Sequence, residues 1–219
     1  MEIDLYKIKA KEYFSHSRND LISLIPSTKE RILEIGAGGG DTLCQIKKSG
    51  LGRFVVGIEL MELDGSNQKN PSIDAFHFGN IEVLEIPYPP NYFDVIICGD
   101  VLEHLVDPWV LIDKISKSLK PGGLLIASIP NIRIIKALVK IFIKGSFSYT
   151  SEGTFDKTHL RFFCKSDMMQ LISSGGFNIL SIKRNFDFGF VRSKLLNTLT
   201  FGIFEEFLAV QFIFVAELK

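Results

Sequence analysis

Cysteine is scarce in this chain, and the three present, Cys44, Cys98 and Cys164, stand far apart with no CxxC pair among them. A disulfide framework and a zinc knuckle are therefore not expected, and a reducing interior fits best. An excess of one charge is missing too, since 25 Lys and Arg balance 25 Asp and Glu. Without a basic field the chain lacks the electrostatic footprint of a general nucleic-acid binder, so nucleic acid is not an expected partner. No segment repeats at a period of about 20 to 50 residues, which argues against solenoids and propellers. The opening stretch, MEIDLYKIKAKEYF, carries acidic residues and alternating lysines where a signal peptide needs a basic start and an unbroken apolar run. A cytoplasmic location is expected.

What is present fits one globular unit. The 219 residues can bury a sizeable core, 46% are hydrophobic and 23% charged, and a single domain over 1–219 is expected. Charge is nevertheless uneven: residues 1–130 carry 13 basic and 18 acidic side chains, residues 131–219 carry 12 and 7. Aromatic content is uneven as well, with fourteen of the nineteen phenylalanines after residue 131.

Residues 31–37, 54–60, 93–99 and 123–129 are short apolar runs rich in Ile, Val and Leu, the pattern of strands buried on both faces of a parallel sheet. Between the last two lies a helix over 107–120, with Asp107 as cap, Pro108 at the first helical position and Trp109, Ile112, Ile115 and Leu119 at helical spacing. KPGG at 120–123 stops it. Strands alternating with helices imply a doubly wound α/β sheet with ligands at the carboxyl ends of its strands. Residues 177–186 and 207–218 are strand-like without a crossover helix of clear periodicity between them, so an antiparallel finish is expected.

The segment ILEIGAGGGD (32–41) follows the first strand with four glycines in five positions. A phosphate-cradling P-loop needs a lysine that is not there. A dinucleotide loop, GxGxxG, needs glycine at 41, where Asp41 stands instead; a carboxylate at a helix start repels a pyrophosphate but suits a cationic ligand. Glu34 with Gly36, Gly38 and Gly40 spells ExGxGxG, and here the sequence resembles the class I S-adenosylmethionine-dependent methyltransferases. Glu59 ends the second strand nineteen positions after Gly40, and residues 78–131 are similar to the family's run from third to fifth strand. Residues 150–177 resemble the C-terminal part of ubiquinone-type and glycan-associated O-methyltransferases. The resemblance spans roughly residues 10–185.

The resemblance implies a Rossmann-like methyltransferase fold, a mostly parallel seven-stranded sheet with an antiparallel C-terminal strand. It implies S-adenosyl-L-methionine as cofactor and S-adenosyl-L-homocysteine as product. Glu34, Gly36, Ala37, Gly38 and Gly40 would form the loop around the cofactor, and Glu59 and Leu60 the ribose site. Asn80, Ile81, Asp100, Val101 and His104 would complete the cleft, with Asn80 standing where an Asp is usual; its carbonyl can still accept from an adenine amino group. Tyr13 and Arg18 fold over the cofactor, or belong to an ordinary amphipathic cover. His104 and His159 are the candidate bases for an oxygen acceptor, imidazole being matched to proton removal near neutral pH.

Asp100, Glu103, His104 and His159 also resemble the metal-holding set of small-RNA 2′-hydroxyl methyltransferases, with Asp100 in place of a longer Glu; no metal is expected. The acceptor is a small molecule, a glycan or a lipid-linked compound, and the oligomeric state is open. Residues 131–160 are expected to form an acceptor-side lid or insertion. Within them NIRIIKALVKIFIKG (131–145) carries Arg133, Lys136, Lys140 and Lys144 along one helical stripe, and packs as a lid or touches lipid headgroups at a membrane surface. Two rivals stand beside this reading: an NAD(P)-binding oxidoreductase, which would share Glu59, and a non-catalytic cofactor-binding module.

Overall fold

The computed structural model describes residues 17–186 and 204–219. Its centre is a seven-stranded sheet: β1 (Arg31–Ile35), β2 (Phe54–Glu59), β3 (Ala75–Phe78), β4 (Phe93–Gly99), β5 (Leu119–Pro130), β6 (Phe177–Phe186) and β7 (Ala209–Leu218). The order across the sheet is β3-β2-β1-β4-β5-β7-β6. The first five strands pair in parallel, while β7 runs antiparallel to both β5 and β6. This is the Rossmann-like arrangement with the antiparallel finish expected from residues 177–218.

Why the early strands read as continuous apolar runs is visible in the packing. Successive side chains alternate between two cores, as strand geometry requires. Leu33, Ile35, Val56, Ile58, Ile96, Cys98 and Leu125 face one side; Ile32, Val55, Val95, Ile97 and Ile126 face the other. The first core is closed by α3 (Pro108–Ser118) and α5 (Lys165–Ser174) through Ile112, Ile115, Met168 and Leu171; the second is closed by α1 (Asn19–Ile22) and α2 (Asp41–Lys48) through Leu21, Leu43 and Ile46. A third, small cluster joins Ile134 and Ala137 to Phe155 beneath α4 (Ile135–Leu138), which continues into one π-helical stretch, Val139–Ile143. The remaining helix, α6 (Glu205–Leu208), is a single turn before β7.

Two expectations need correction. Asp107 does cap α3, accepting from the Trp109 and Val110 amides at 3.2 and 3.3 Å, but Trp109 is 48% exposed. The buried stripe is Pro108, Leu111, Ile112, Ile115 and Ser118, so of the expected positions Ile112 and Ile115 face the core and Trp109 does not. KPGG likewise does not separate α3 from β5. The strand already begins at Leu119, paired with Phe93, and the ladder resumes with Leu124 opposite Val95 after an irregularity. Residues 120–123 stand opposite Asp94 alone, so the proline and glycines fall in an interruption of the ladder, where such residues are tolerated.

Candidate active site

The loop between β1 and α2 is shaped by what its glycines lack. Gly36 has a φ of +70°, and a Cβ there would stand 2.4 Å from Val101 Cγ2, so the loop reaches the turn after β4 only with a bare backbone. The Glu59 carboxylate holds the loop from the other side: its Oε2 accepts from the Gly38 amide at 2.7 Å and its Oε1 from the Leu60 amide at 2.6 Å. A carboxylate has about four acceptor sites, so after these two bonds each oxygen keeps a lone pair for a sugar hydroxyl. Burial raises the Glu59 carboxyl above its ordinary value, and the Leu60 and Gly38 amides oppose that.

These residues line a chamber of about 500 Å³ at the carboxyl ends of β1, β2, β4 and β5, a size in the usual range for a small-ligand site. Glu34 lies in its wall, 4% exposed. Burial pushes its carboxyl up to about 8, against a hydrogen bond from Thr42 and the charge of Arg18. Its Oε2 has no hydrogen-bond partner among the described residues. Arg18, also in the wall, is spoken for: it pairs with Asp20 at 2.9 Å and with Asp100, and approaches Ser128 at 3.2 Å and Gln211 at 3.4 Å. Its own burial works against its charge, yet Asp20 and Asp100 hold it charged. The chamber thus offers the carboxylates Glu59, Asp100, Glu103 and Asp156, and the Glu34 carboxyl, against one neutralised guanidinium. That set suits a ligand with cationic groups and sugar hydroxyls, and repels a pyrophosphate.

A narrow cleft opens on the other side of Gly36, lined by Leu60, Asn80, Ile81, Val101 and His104. The Asn80 side-chain oxygen accepts from the Glu82 amide at 3.0 Å. It is therefore oriented by its own turn, and Ile81 and Val101 line the same cleft beside it.

The two histidines stand together but border different spaces. His104 sits on the 3-10 turn Leu102–His104 and lines the narrow cleft; His159 lines the main chamber. Their rings meet edge to face with centroids 4.7 Å apart. His104 Nδ1 lies 3.0 Å from the Thr158 carbonyl and His159 Nδ1 3.1 Å from the Thr154 carbonyl. A carbonyl only accepts, so each Nδ1 carries the proton and each Nε2 is the basic nitrogen. Both Nε2 atoms point towards Glu103 Oε1, at 4.0 and 3.9 Å. One ligand atom from each of Glu103, His104 and His159 falls within 4.8 Å of the others, so among the described residues these three are grouped closely enough to hold a metal ion.

Local chemistry brings His159 there. Asp156 Oδ1 accepts from the Thr158 amide at 2.9 Å and its hydroxyl at 2.7 Å, and the Asp156 carbonyl accepts from the His159 amide at 3.0 Å. The Glu103 carbonyl then accepts from the Leu160 and Arg161 amides at 2.8 and 2.9 Å, fastening this loop to the turn after β4.

Of the residues expected at the cofactor, Glu34, Gly36, Ala37, Gly38, Glu59, Asp100, Val101 and Arg18 line the chamber, and Leu60, Asn80, Ile81 and His104 the cleft. Gly40 faces elsewhere: the Cβ it lacks would meet Ile73 at 3.0 Å and the Asn67 backbone at 3.2 Å. Tyr13 lies outside the described residues. Within 131–160, Gly153, Thr154, Asp156 and His159 border the chamber. Asp156 and Gln211 are not among the residues that the sequence motifs point to, though each leaves a signal. Asp156 begins the polar patch DKTH, and Gln211 is the one amide within the apolar run FLAVQFIFVA.

Comparison with known proteins agrees with this geometry. A family model described as a methyltransferase domain matches residues 6–182. A ubiquinone biosynthesis O-methyltransferase of Coxiella burnetii is 29% identical over 161 residues, covering 70% of this chain. The chain spans 65% of that relative's length. A demethylmenaquinone methyltransferase of Staphylococcus haemolyticus is 24% identical over 173 residues, with 70% of each chain covered. Among solved structures, an S-adenosylmethionine-dependent methyltransferase from Archaeoglobus fulgidus superposes with a TM-score of 0.63 at 17% identity, covering 99% of this chain and all of the other, which is a likeness of fold. With four-fifths of its length matched by one family model, the chain belongs to the methyltransferase-domain family, as a class I S-adenosylmethionine-dependent methyltransferase domain.

Proposed function

We propose that the domain transfers a methyl group from S-adenosylmethionine to an oxygen of a small-molecule, glycan or lipid-linked acceptor, with His159 as the base. The observation that carries this reading is that His159 and Glu103 border the same chamber as Glu34, Gly36, Gly38 and Glu59. When bound, the cofactor supplies an electrophilic methyl carbon on a sulfonium. The chain's own part is to hold the ribose with Glu59, to set a carboxyl at Glu34 beside the cationic end, and to exclude water so that approaching charges are not opposed by hydration. With its Nδ1 proton committed to the Thr154 carbonyl, His159 can accept the acceptor's proton only at Nε2, and the Glu103 carboxylate 3.9 Å away stabilises the imidazolium that forms. The ubiquinone O-methyltransferase relatives support oxygen as the target atom.

Calorimetry is expected to find binding of S-adenosylmethionine and its demethylated product and none of NAD(P)H; the reverse would sink the reading. His159→Ala is expected to lower kcat by about 10²-fold or more while leaving cofactor affinity unchanged. Catalysis is expected to need no divalent metal. The grouping of Glu103, His104 and His159 favours the second reading, a metal-assisted transfer. Turnover that vanishes on chelation and returns with manganese would establish that one instead.

A further inference from the structure

The helical segment Ile135–Ile143 presents an outer face that nothing in the described structure covers. Its inner side, Ile134 and Ala137, is buried against Phe155. Its outer side is apolar as well: Ile135 and Val139 are each 39% exposed, Phe142 77% and Ile143 79%, with Phe147 and Tyr149 following on the exposed stretch beyond. Exposed apolar side chains scattered singly are ordinary, but a contiguous group on one element marks an interaction surface.

The charge beside that group says what kind of surface. Lys136, Lys140 and Lys144 recur at every fourth position alongside it, and residues 131–151 contain four basic side chains and no acidic one. Arg133 pairs with Glu206 and the Lys140 ammonium donates to the Ser148 carbonyl above the Phe155 ring, so Lys136 and Lys144 are the exposed cations of the row. Lysine is depleted from the cores of protein–protein interfaces, whereas bulky apolar residues flanked by lysines characterise helices that lie in the headgroup layer of an anionic bilayer. No helix among the described residues is long and apolar enough to cross a membrane, so such a contact would be peripheral. We infer that the outer face of residues 135–149 docks the protein on an anionic lipid surface, with Phe142 and Ile143 entering the acyl boundary and the exposed Lys136 and Lys144 meeting the headgroups.

The placement gives the docking a use. The segment leaves the carboxyl end of β5, the edge at which the chamber opens, and Phe147 packs edge-on against Phe155 at 5.0 Å, whose neighbours Thr154 and Asp156 border that chamber. A bilayer under the Phe142 face would lie beside the acceptor side of the site, where an apolar acceptor could pass from lipid to protein without crossing water. This deepens the proposed function, but the docking itself does not depend on it.

Flotation of the full chain with phosphatidylcholine vesicles, with and without phosphatidylglycerol, tests the inference. Binding is expected to the anionic vesicles and to weaken with salt. Phe142→Asp/Ile143→Asp should reduce it at least about tenfold, and Lys144→Gln by about fivefold, while calorimetric affinity for S-adenosylmethionine stays unchanged and reports an intact fold. Absence of flotation with the anionic vesicles, or flotation undiminished in the double variant, would overturn it. So would a dimer that the double variant splits while neither form floats, which would assign the face to a second copy of the chain. A chain that floats normally yet binds no S-adenosylmethionine would uphold the docking and reject the methyltransferase reading.

Discussion

Glu34 keeps its proton at neutral pH until something cationic approaches it. Its ordinary value is 4.5 and burial raises it to about 8 in the folded chain. The folded form therefore binds a proton that the unfolded chain gives up above pH 4.5. The resulting stabilisation is fully present below that pH and is lost as pH rises towards about 8. The melting temperature of the cofactor-free protein is expected to fall over this window by about 2–4 °C for each kcal/mol lost, and Glu34→Gln, which has no proton to lose, should flatten the decline. An unchanged pH profile in the variant would show that Glu34 is already ionised. At this scale the sequence is legible where spacing along one strand–loop unit suffices, as for Glu34, Gly36 and Glu59. Glu103 is legible only through the resemblance to a metal-holding set, and Asp156 only as the start of a polar patch. Their roles arise because loop 153–161 meets the turn after β4 more than fifty residues earlier, a contact no local spacing encodes.

Elements repeat the contrast between local and distant causes. The α3 cap is local: Asp107, one residue before a proline, suits a helix start in any context, and Asp107→Ala should cost about 1 kcal/mol in chemical unfolding. Which face of α3 is buried depends instead on the sheet and α5. Ile112 comes so close to Gly175 that a Cβ there would stand 2.5 Å from its Cγ2. Trp109, an apolar residue at an acceptable helical position, lies outside that buried stripe and is half-exposed. The sheet contains a comparable tight fit at Gly57, where a Cβ would lie 2.5 Å from the Phe76 ring and 3.0 Å from Leu43. Gly57→Ala should consequently destabilise by about 1–3 kcal/mol, more than the cap does, although it adds only one methyl group. A smaller loss than Asp107→Ala would mean that the Phe76 ring moves aside freely.

Across the whole molecule, Arg18 joins parts of the chain that lie far apart. From just before α1 it reaches Asp100 after β4, Ser128 in β5 and Gln211 in β7. Gln211 in turn donates to Asp100, so the network spans the described chain. Removing the guanidinium leaves Asp100 mostly enclosed without its counter-charge. Arg18→Ala is expected to cost about 1–3 kcal/mol, and adding Asp100→Asn to recover part of that loss; full additivity in the double-mutant cycle would deny the coupling. The antiparallel finish was readable from two strand-like runs lacking an intervening helical pattern, but their order was not. Insertion of β7 between β5 and β6 depends on edges that exist only once the sheet is assembled.

That insertion has a consequence for how the protein comes into being. β6 is made before β7 but borders only β7 in the finished sheet, so on the ribosome it has no berth until residues 209–218 have emerged. Until then the growing sheet ends at β5, with an open hydrogen-bonding edge that is available to the wrong partner. Completion is a closing step that sets two strands at once, and the Gln211 contact to Asp100 in the wall of the chamber is made in the same step.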